Sequence, residues 1–214
     1  MSASPLDLIT VAHKAFRRDL ANIDAAALGA ARDDHDVTAA IDRIGFFSEM
    51  LSWHAHGEDA GIFPTLEPVA PSVTAAYEID HRGLDLAADG LARAVDARDA
   101  LAIARATAAF KFHLDMHLYK EDVHLYVLFA QRLSQAEQAE AVGVFTKALP
   151  RDRFGDFVAW RFPLVDSEDQ ARVIRVWSAA MPPPVFASSV GLVRHAIGDD
   201  YDELARRLPD LSSL

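Results

Sequence analysis

The sequence predicts an all-α protein: an up-down-up-down four-helix bundle with additional short C-terminal helices. Three observations predict it. Apolar residues recur at three- and four-residue spacing through a chain rich in Ala, Leu, Arg, Asp and Glu. No stretch alternates apolar and polar residues for more than a few positions. The breaks between periodic segments carry helix-capping or helix-stopping residues.

The four long helices are expected at about 5–32, 36–59, 71–97 and 99–130. Asp33, Asp34 and Asp36 can cap the second. The segment Gly61-Ile62-Phe63-Pro64, with Pro68 and Pro71 beyond, should stop that helix, and Ser72 can help start the next. The break near Ala97-Arg98-Asp99 has Asp99 as its only cap. A second region begins near Leu133, so the expected division is 1–131 for the bundle and 132–214 for a helical extension. Ser134-Gln135-Ala136-Glu137 reads as a capping box. Pro150, Pro163 and Pro182-Pro183-Pro184 then separate shorter helices, one of them capped by Asp166 or Ser167. This tail carries Phe154, Phe157, Trp160, Phe162 and Trp177, which should pack on the bundle or on a second subunit. A homodimer through the C-terminal region is one expected assembly.

Composition narrows the function. The 214 residues are 51% hydrophobic and 25% charged, enough apolar material for a core. Lys and Arg number 21 against 32 Asp and Glu, a net charge of −11, which argues against nucleic-acid and anionic-membrane partners. Cysteine is absent, which excludes disulfides, thiolate metal sites and a catalytic thiol. The opening MSASPLDLITVAHK lacks the basic region and cleavage site of a secretory signal, and no apolar run suits a membrane span, so the expected location is cytoplasmic.

The histidines are ordered. At about 100° per residue, His13 shares a helix face with Leu6, Ile9, Phe16 and Leu20. His54 shares one with Phe47, Met50, Leu51 and Glu58; His81 with Tyr77, Leu84 and Ala88. On the fourth helix Phe110, His113, His117, Glu121, His124 and Leu128 line up. Two helices carry the same string: His54-Ala55-His56-Gly57-Glu58-Asp59 and His117-Leu118-Tyr119-Lys120-Glu121-Asp122. A lone histidine precedes each, His13 by 41 residues and His81 by 36. The pattern is an internal repeat of two helical hairpins. Paired about a pseudo-twofold axis, the hairpins would bring four histidines and two glutamates together at the bundle centre.

Imidazoles and carboxylates are the ligands for iron, manganese or zinc when thiolates are missing. Helical bundles build dinuclear sites from inward-facing Glu and His on facing helices. The candidate ligands are His13, His54, Glu58, His81, His117 and Glu121. Without a metal, burying those carboxylates would cost several kcal/mol for each uncompensated charge.

These residues resemble the hemerythrin-like family, also called HHE cation-binding domains, in the variant H…HxxxE…H…HxxxE. The matching stretch is roughly 5–130, and Ile62-Phe63-Pro64 resembles the family's ending of the second helix. The resemblance implies a non-haem di-iron centre, oxo- or hydroxo-bridged, with Glu58 and Glu121 as bridges and manganese or zinc as substitutes. It also implies chemistry with O₂, H₂O₂ or NO. Where oxygen-carrying hemerythrins have HxxxH on the third helix, this chain has Tyr77-x-x-x-His81, and where they have His-x4-Asp on the fourth it has His-x3-Glu. That leaves an open metal position or a phenolate at Tyr77.

Members with the HxxxE variant resemble catalase-type peroxide scavengers, so peroxide disposal is the leading expectation. The alternatives are a module that senses O₂, NO or iron and signals through the C-terminal extension, and a zinc-filled structural bundle. His113, Tyr77 and His124 are the candidates for supporting a ligand or moving protons. His56, about 200° from His54, should lie outside the ligand set. His35 and His195 read as surface or tail residues.

Overall fold

The structure is a computed structural model that describes residues 4–33 and 36–208. Asp34 and His35, named above, lie outside the described residues. Among those described, helices and turns account for the ordered elements and no strand occurs. No helix there is long and apolar enough to cross a membrane. The chain forms two compact units, Phe16–Ala148 and Met1–Ala15 with Leu149–Leu214.

The four long helices of the first unit fall close to their expected places: α1 (Asp7–Asp33), α2 (Thr38–Gly57), α4 (Pro71–Asp96) and α5 (Ala100–Lys120), with the short α3 (Phe63–Leu66) between the second and third. Only the part of α1 from Phe16 onward belongs to this unit. Its apolar stripe, Phe16, Leu20, Ile23 and Ala27, is buried. Phe16 meets Phe47 edge-on at 5.6 Å, and Phe47 meets Phe110 at 6.5 Å. Contacts at both ends fix the antiparallel order. Asp19 pairs with Arg43 near the start of α2, whereas Phe16 reaches His54 near its end. Arg98, just past α4, donates to Thr38 Oγ1 at the start of α2 at 2.8 Å. Tyr77, early in α4, reaches Lys120 at the end of α5.

The breaks follow local chemistry with two corrections. Asp99 caps α5 by accepting from Ala102 N at 2.9 Å, and Asp36 accepts from Thr38 N at 2.9 Å at the start of α2. Ser72 does not start α4: Pro71 occupies its first turn, and no side-chain cap bond precedes it. Nor does the chain leave helix at Gly61–Pro64. It passes through a wider π-helical turn, Glu58–Ile62, and resumes in α3. Pro64 sits in the first turn of α3, just after the π-turn, where it has no N–H to continue the ladder.

A second π-turn, Glu121–Leu125, interrupts the expected fourth helix before α6 (Tyr126–Arg132). In each π-turn the amide five residues on donates to the glutamate carbonyl: Phe63 N to Glu58 O, and Tyr126 N to Glu121 O. The two halves of the repeat therefore share a backbone irregularity at the same residue.

Helix α7 (Gln135–Phe145), opened by the Ser134–Glu137 capping box, belongs to this same unit, although the sequence suggests a division after residue 131. It packs on the first π-turn. A Cβ at Gly61 would stand 2.5 Å from the Ala141 carbonyl oxygen, and one at Gly57 2.6 Å from the Phe145 ring. Both positions need glycine because the helix lies that close.

The other unit comprises the first turns of α1 with α8 (Phe154–Arg161), α9 (Ser167–Ala180), α10 (Pro183–Ile197) and α11 (Tyr201–Arg207). Asp166 caps α9 through Asp169 N at 2.9 Å. The tail aromatics pack into a core of their own: Trp177 lies 5.6 Å from Phe154 and 5.4 Å from Phe162, among Val11, Ala15, Val158 and Val193. Lys14 pairs with Asp169 at 2.6 Å and Arg172 with Asp7. His195, near the end of α10, is exposed.

Candidate metal centre

Five of the six expected ligands meet inside the bundle unit. Helix α2 carries His54 in its last turn and delivers Glu58 at the first residue of the π-turn that follows; α5 carries His117 in its last turn and delivers Glu121 in the same way. The i,i+4 spacing stacks each pair. His54 Nε2 lies 3.3 Å from Glu58 Oε1, and His117 Nε2 lies 3.1 Å from Glu121 Oε1. His81, from α4, places Nε2 3.4 Å from Glu58 Oε2 and 3.9 Å from Glu121 Oε1. Both glutamates are completely buried. His13 is also completely buried, on the part of α1 that belongs to the other unit.

The donors form two overlapping sets. Ligand atoms of Glu58, His81, His117 and Glu121 all lie within 4.8 Å of one another, and those of His54, Glu58 and Glu121 do so too. Both glutamates belong to both sets. Nitrogen and carboxylate donors without sulfur suit iron or manganese.

The electrostatics point the same way. Burial alone would raise the Glu58 carboxyl, but His54 and His81 outweigh it and hold it well below the ordinary range. Burial, and then the charge of Glu58, pushes Glu121 well above that range. Two buried carboxylates this close do not both ionise at neutral pH unless a cation joins them. Burial opposes charge on His81, yet its hydrogen bond to Glu58 and the charges of Glu58 and Asp59 raise it on balance.

Rings close the remaining sides. Phe16 and Phe145 stand edge-on to His54 at 5.2 and 5.3 Å, and Phe63 packs on His81 at 5.1 Å. A cavity of about 230 Å³ reaches the cluster, lined by His54, Glu58, His81 and His117 together with the exposed His56 and Asp59. The residues can therefore hold a metal ion against a space that takes a small molecule.

Residues 4–102 match the family described as the Hemerythrin HHE cation binding domain. That stretch contains His13, His54, Glu58 and His81. Over that stretch, just under half of the chain, the sequence is similar to a hemerythrin HHE cation-binding domain. It is also similar to the zinc finger protein BRUTUS of Arabidopsis thaliana, 27% identical over 164 residues, which cover 73% of this chain and 13% of the relative. Two BRUTUS-like zinc finger proteins of the same plant are 24% and 22% identical over 81% and 85% of the chain. The chain spans only 13–15% of the length of these relatives. No solved structure matches.

Of the three supporting residues the sequence suggests, Tyr77 lies beside the cluster and the two histidines do not. His113 is exposed beside Phe112, because the buried stripe of α5 runs through Phe110, Leu114, His117 and Leu118 and leaves it at the edge. His124 is exposed because the π-turn inserts a residue after Glu121 and turns it off the face. Tyr77 is buried near His117, but its hydroxyl donates to the Lys120 carbonyl at 2.8 Å rather than pointing a phenolate at the cluster. His56 is exposed, as expected, with Nδ1 2.7 Å from the Ser52 carbonyl.

The residue missed is Tyr126. Its hydroxyl donates to Glu58 Oε1 inside the core. Burial, then the charges of Glu58 and Glu121, raises its pKa well above the ordinary value, so it remains a donor. A signal was present: extending the repeat past Glu-Asp aligns Tyr126 with Phe63, each five residues after its glutamate.

Proposed function

We propose that the domain holds a non-haem di-iron centre that disposes of peroxide. The observation that carries the dinuclear reading is the pair of overlapping donor sets sharing Glu58 and Glu121. His54 would serve one metal, His81 and His117 the other, and the two glutamates would bridge. His13 is proposed as the remaining ligand. One feature supports it: it matches His81 in the sequence repeat. When bound, two irons supply redox chemistry to a small oxygen or nitrogen species. The chain's own residues do the rest. Tyr126 holds Glu58 by its hydroxyl, Phe16, Phe63 and Phe145 shield the imidazoles, and the cavity beside His81 admits a molecule the size of H₂O₂.

A sensing module without turnover is the second reading. The observation that favours it is the occurrence of similar sequence as a small part of much longer zinc finger proteins.

Elemental analysis of the chain expressed with added iron tests the centre. About two irons per chain, the count a two-metal site requires, are expected. Glu58→Ala and Glu121→Ala should each lose dinuclear binding, whereas His56→Ala should keep it. Catalytic oxygen release from peroxide with iron retained supports disposal. Stoichiometric oxidation with a change in oligomeric state or partner binding supports sensing.

A further inference from the structure

Each His-x-x-x-Glu string ends in an aspartate whose role the ligand set does not use. We propose that the first of these, Asp59, is a positioning residue for His81, an inference that rests on the metal reading above. Asp59 Oδ1 lies 3.1 Å from His81 Nδ1, while Nε2 of the same ring faces Glu58 and Glu121. The imidazole spans from a surface carboxylate to the buried donors. Phe63 and His117 pack against it at 5.1 and 5.0 Å and set its plane. A neutral imidazole carries one N–H. The bond to Asp59 places that hydrogen on Nδ1, which leaves the Nε2 lone pair toward the metal and makes it a stronger donor.

Stability does not account for this contact. The Asp59 side chain is 54% exposed, and an ion pair in such a setting contributes little. The matching aspartate of the second string behaves differently. Asp122 accepts from Arg17 at 2.7 Å, and Arg17 is four residues after the lone histidine of its half, His13. The residue four after His81 is Asp85, an acid beside the same cavity. No cation therefore claims Asp59 among the described residues, and its charge is left to His81.

The test is cobalt(II) binding to the full metal-free chain, followed by the visible d–d bands and by competition with a chelator. Asp59→Ala should weaken one of the two binding steps about 10–100-fold and shift its bands. Two cobalt ions should still bind at saturation, and the melting temperature of the metal-free chain should not move. Asp59→Asn, whose amide oxygen still accepts from Nδ1–H, should recover part of the loss. Asp85→Ala should leave both steps unchanged. Wild-type affinity and bands in Asp59→Ala would overturn the inference while leaving the metal reading intact. So would an equal loss in Asp85→Ala, which would assign the effect to net charge. A wild-type chain that binds no cobalt would overturn the metal reading itself.

Discussion

The hydroxyl of Tyr126 donates to Oε1 of Glu58, so a residue from the second half of the repeat holds the carboxylate of the first. Phe63, its counterpart, packs on His81 and has no hydroxyl to offer Glu121. The repeat is thus asymmetric at its centre. Tyr126→Phe keeps the ring and removes a hydrogen bond to a charged group, a contact worth about 1.5–3 kcal/mol. The metal-free chain should lose about that much stability in a urea titration, and bound metal should recover part of it by taking over the Glu58 charge. No change in the urea midpoint would mean that the bond contributes nothing to folding.

The close approach of α7 makes a second prediction. Gly61→Ala would drive a methyl group to 2.5 Å from the Ala141 carbonyl, a backbone atom that can yield only if α7 moves. Overpacking of this kind costs about 1–3 kcal/mol. Because the strained segment also carries Glu58, metal affinity should fall with it. Gly45→Ala, exposed within α2 with nothing within 4 Å, should instead stabilise the chain by about 0.4–1 kcal/mol. Thermal melts and chelator competition on the two variants would show opposite signs.

Tyr77 gives a pH-dependent prediction. Burial, then the charges of Glu121 and Asp80, raises its phenol to about 12, and a backbone hydrogen bond from Leu125 lowers it only in part. The folded chain keeps this proton where the unfolded chain loses it. Stability is therefore lost as pH rises from the ordinary phenol value of about 10 toward 12. Tyr77→Phe should flatten that alkaline decline in melts run at several pH values. At neutral pH it should cost about 0.5–1.5 kcal/mol for the bond to Lys120. The visible spectrum of the metal-loaded chain should not change, since the hydroxyl is engaged by the backbone; loss of a band would make Tyr77 a ligand.

What was legible in the sequence was what depends on short range. Asp99, Ser134 and Asp166 cap helices because a cap needs only its own next three residues. The His54–Glu58 and His117–Glu121 pairs follow from i,i+4 stacking, which any helix enforces. The π-turns were not legible, because a 3.6-residue period contains no instruction to insert a residue. That single insertion misplaced His124 and hid Tyr126. Helix-face arithmetic also could not place His113, since its position at the stripe's edge depends on how neighbouring helices cover α5. Asp59 was visible as part of a string, but its contact with His81 joins residues 22 apart in sequence and required the fold.

Arg161 carries the last prediction. Only 2% exposed, its guanidinium carbon lies 4.7 Å from the Phe157 ring centre, 5.4 Å from Phe162 and 5.6 Å from Trp177. It reaches the Leu8 carbonyl at 3.4 Å, while Nε and one terminal nitrogen have no hydrogen-bond partner among the described residues. Burial lowers its pKa to about 9. Burial disfavours the charged guanidinium, so it opposes folding at neutral pH. Ring faces offset part of that penalty, about 2 kcal/mol for a desolvated cation. Methionine fills similar space without charge. Arg161→Met should therefore be as stable as the parent or more so, since exchanging buried charges for apolar residues is neutral or gains about 1–4 kcal/mol. Arg161→Ala removes the charge but leaves a void, which should cost about 2–4 kcal/mol relative to Arg161→Met. Near-ultraviolet circular dichroism during urea unfolding, in a Trp53→Phe background that leaves Trp160 and Trp177 as the tryptophan signal, reads the unit. A destabilised Arg161→Met would show that the aromatic faces and the Leu8 carbonyl more than compensate the buried charge.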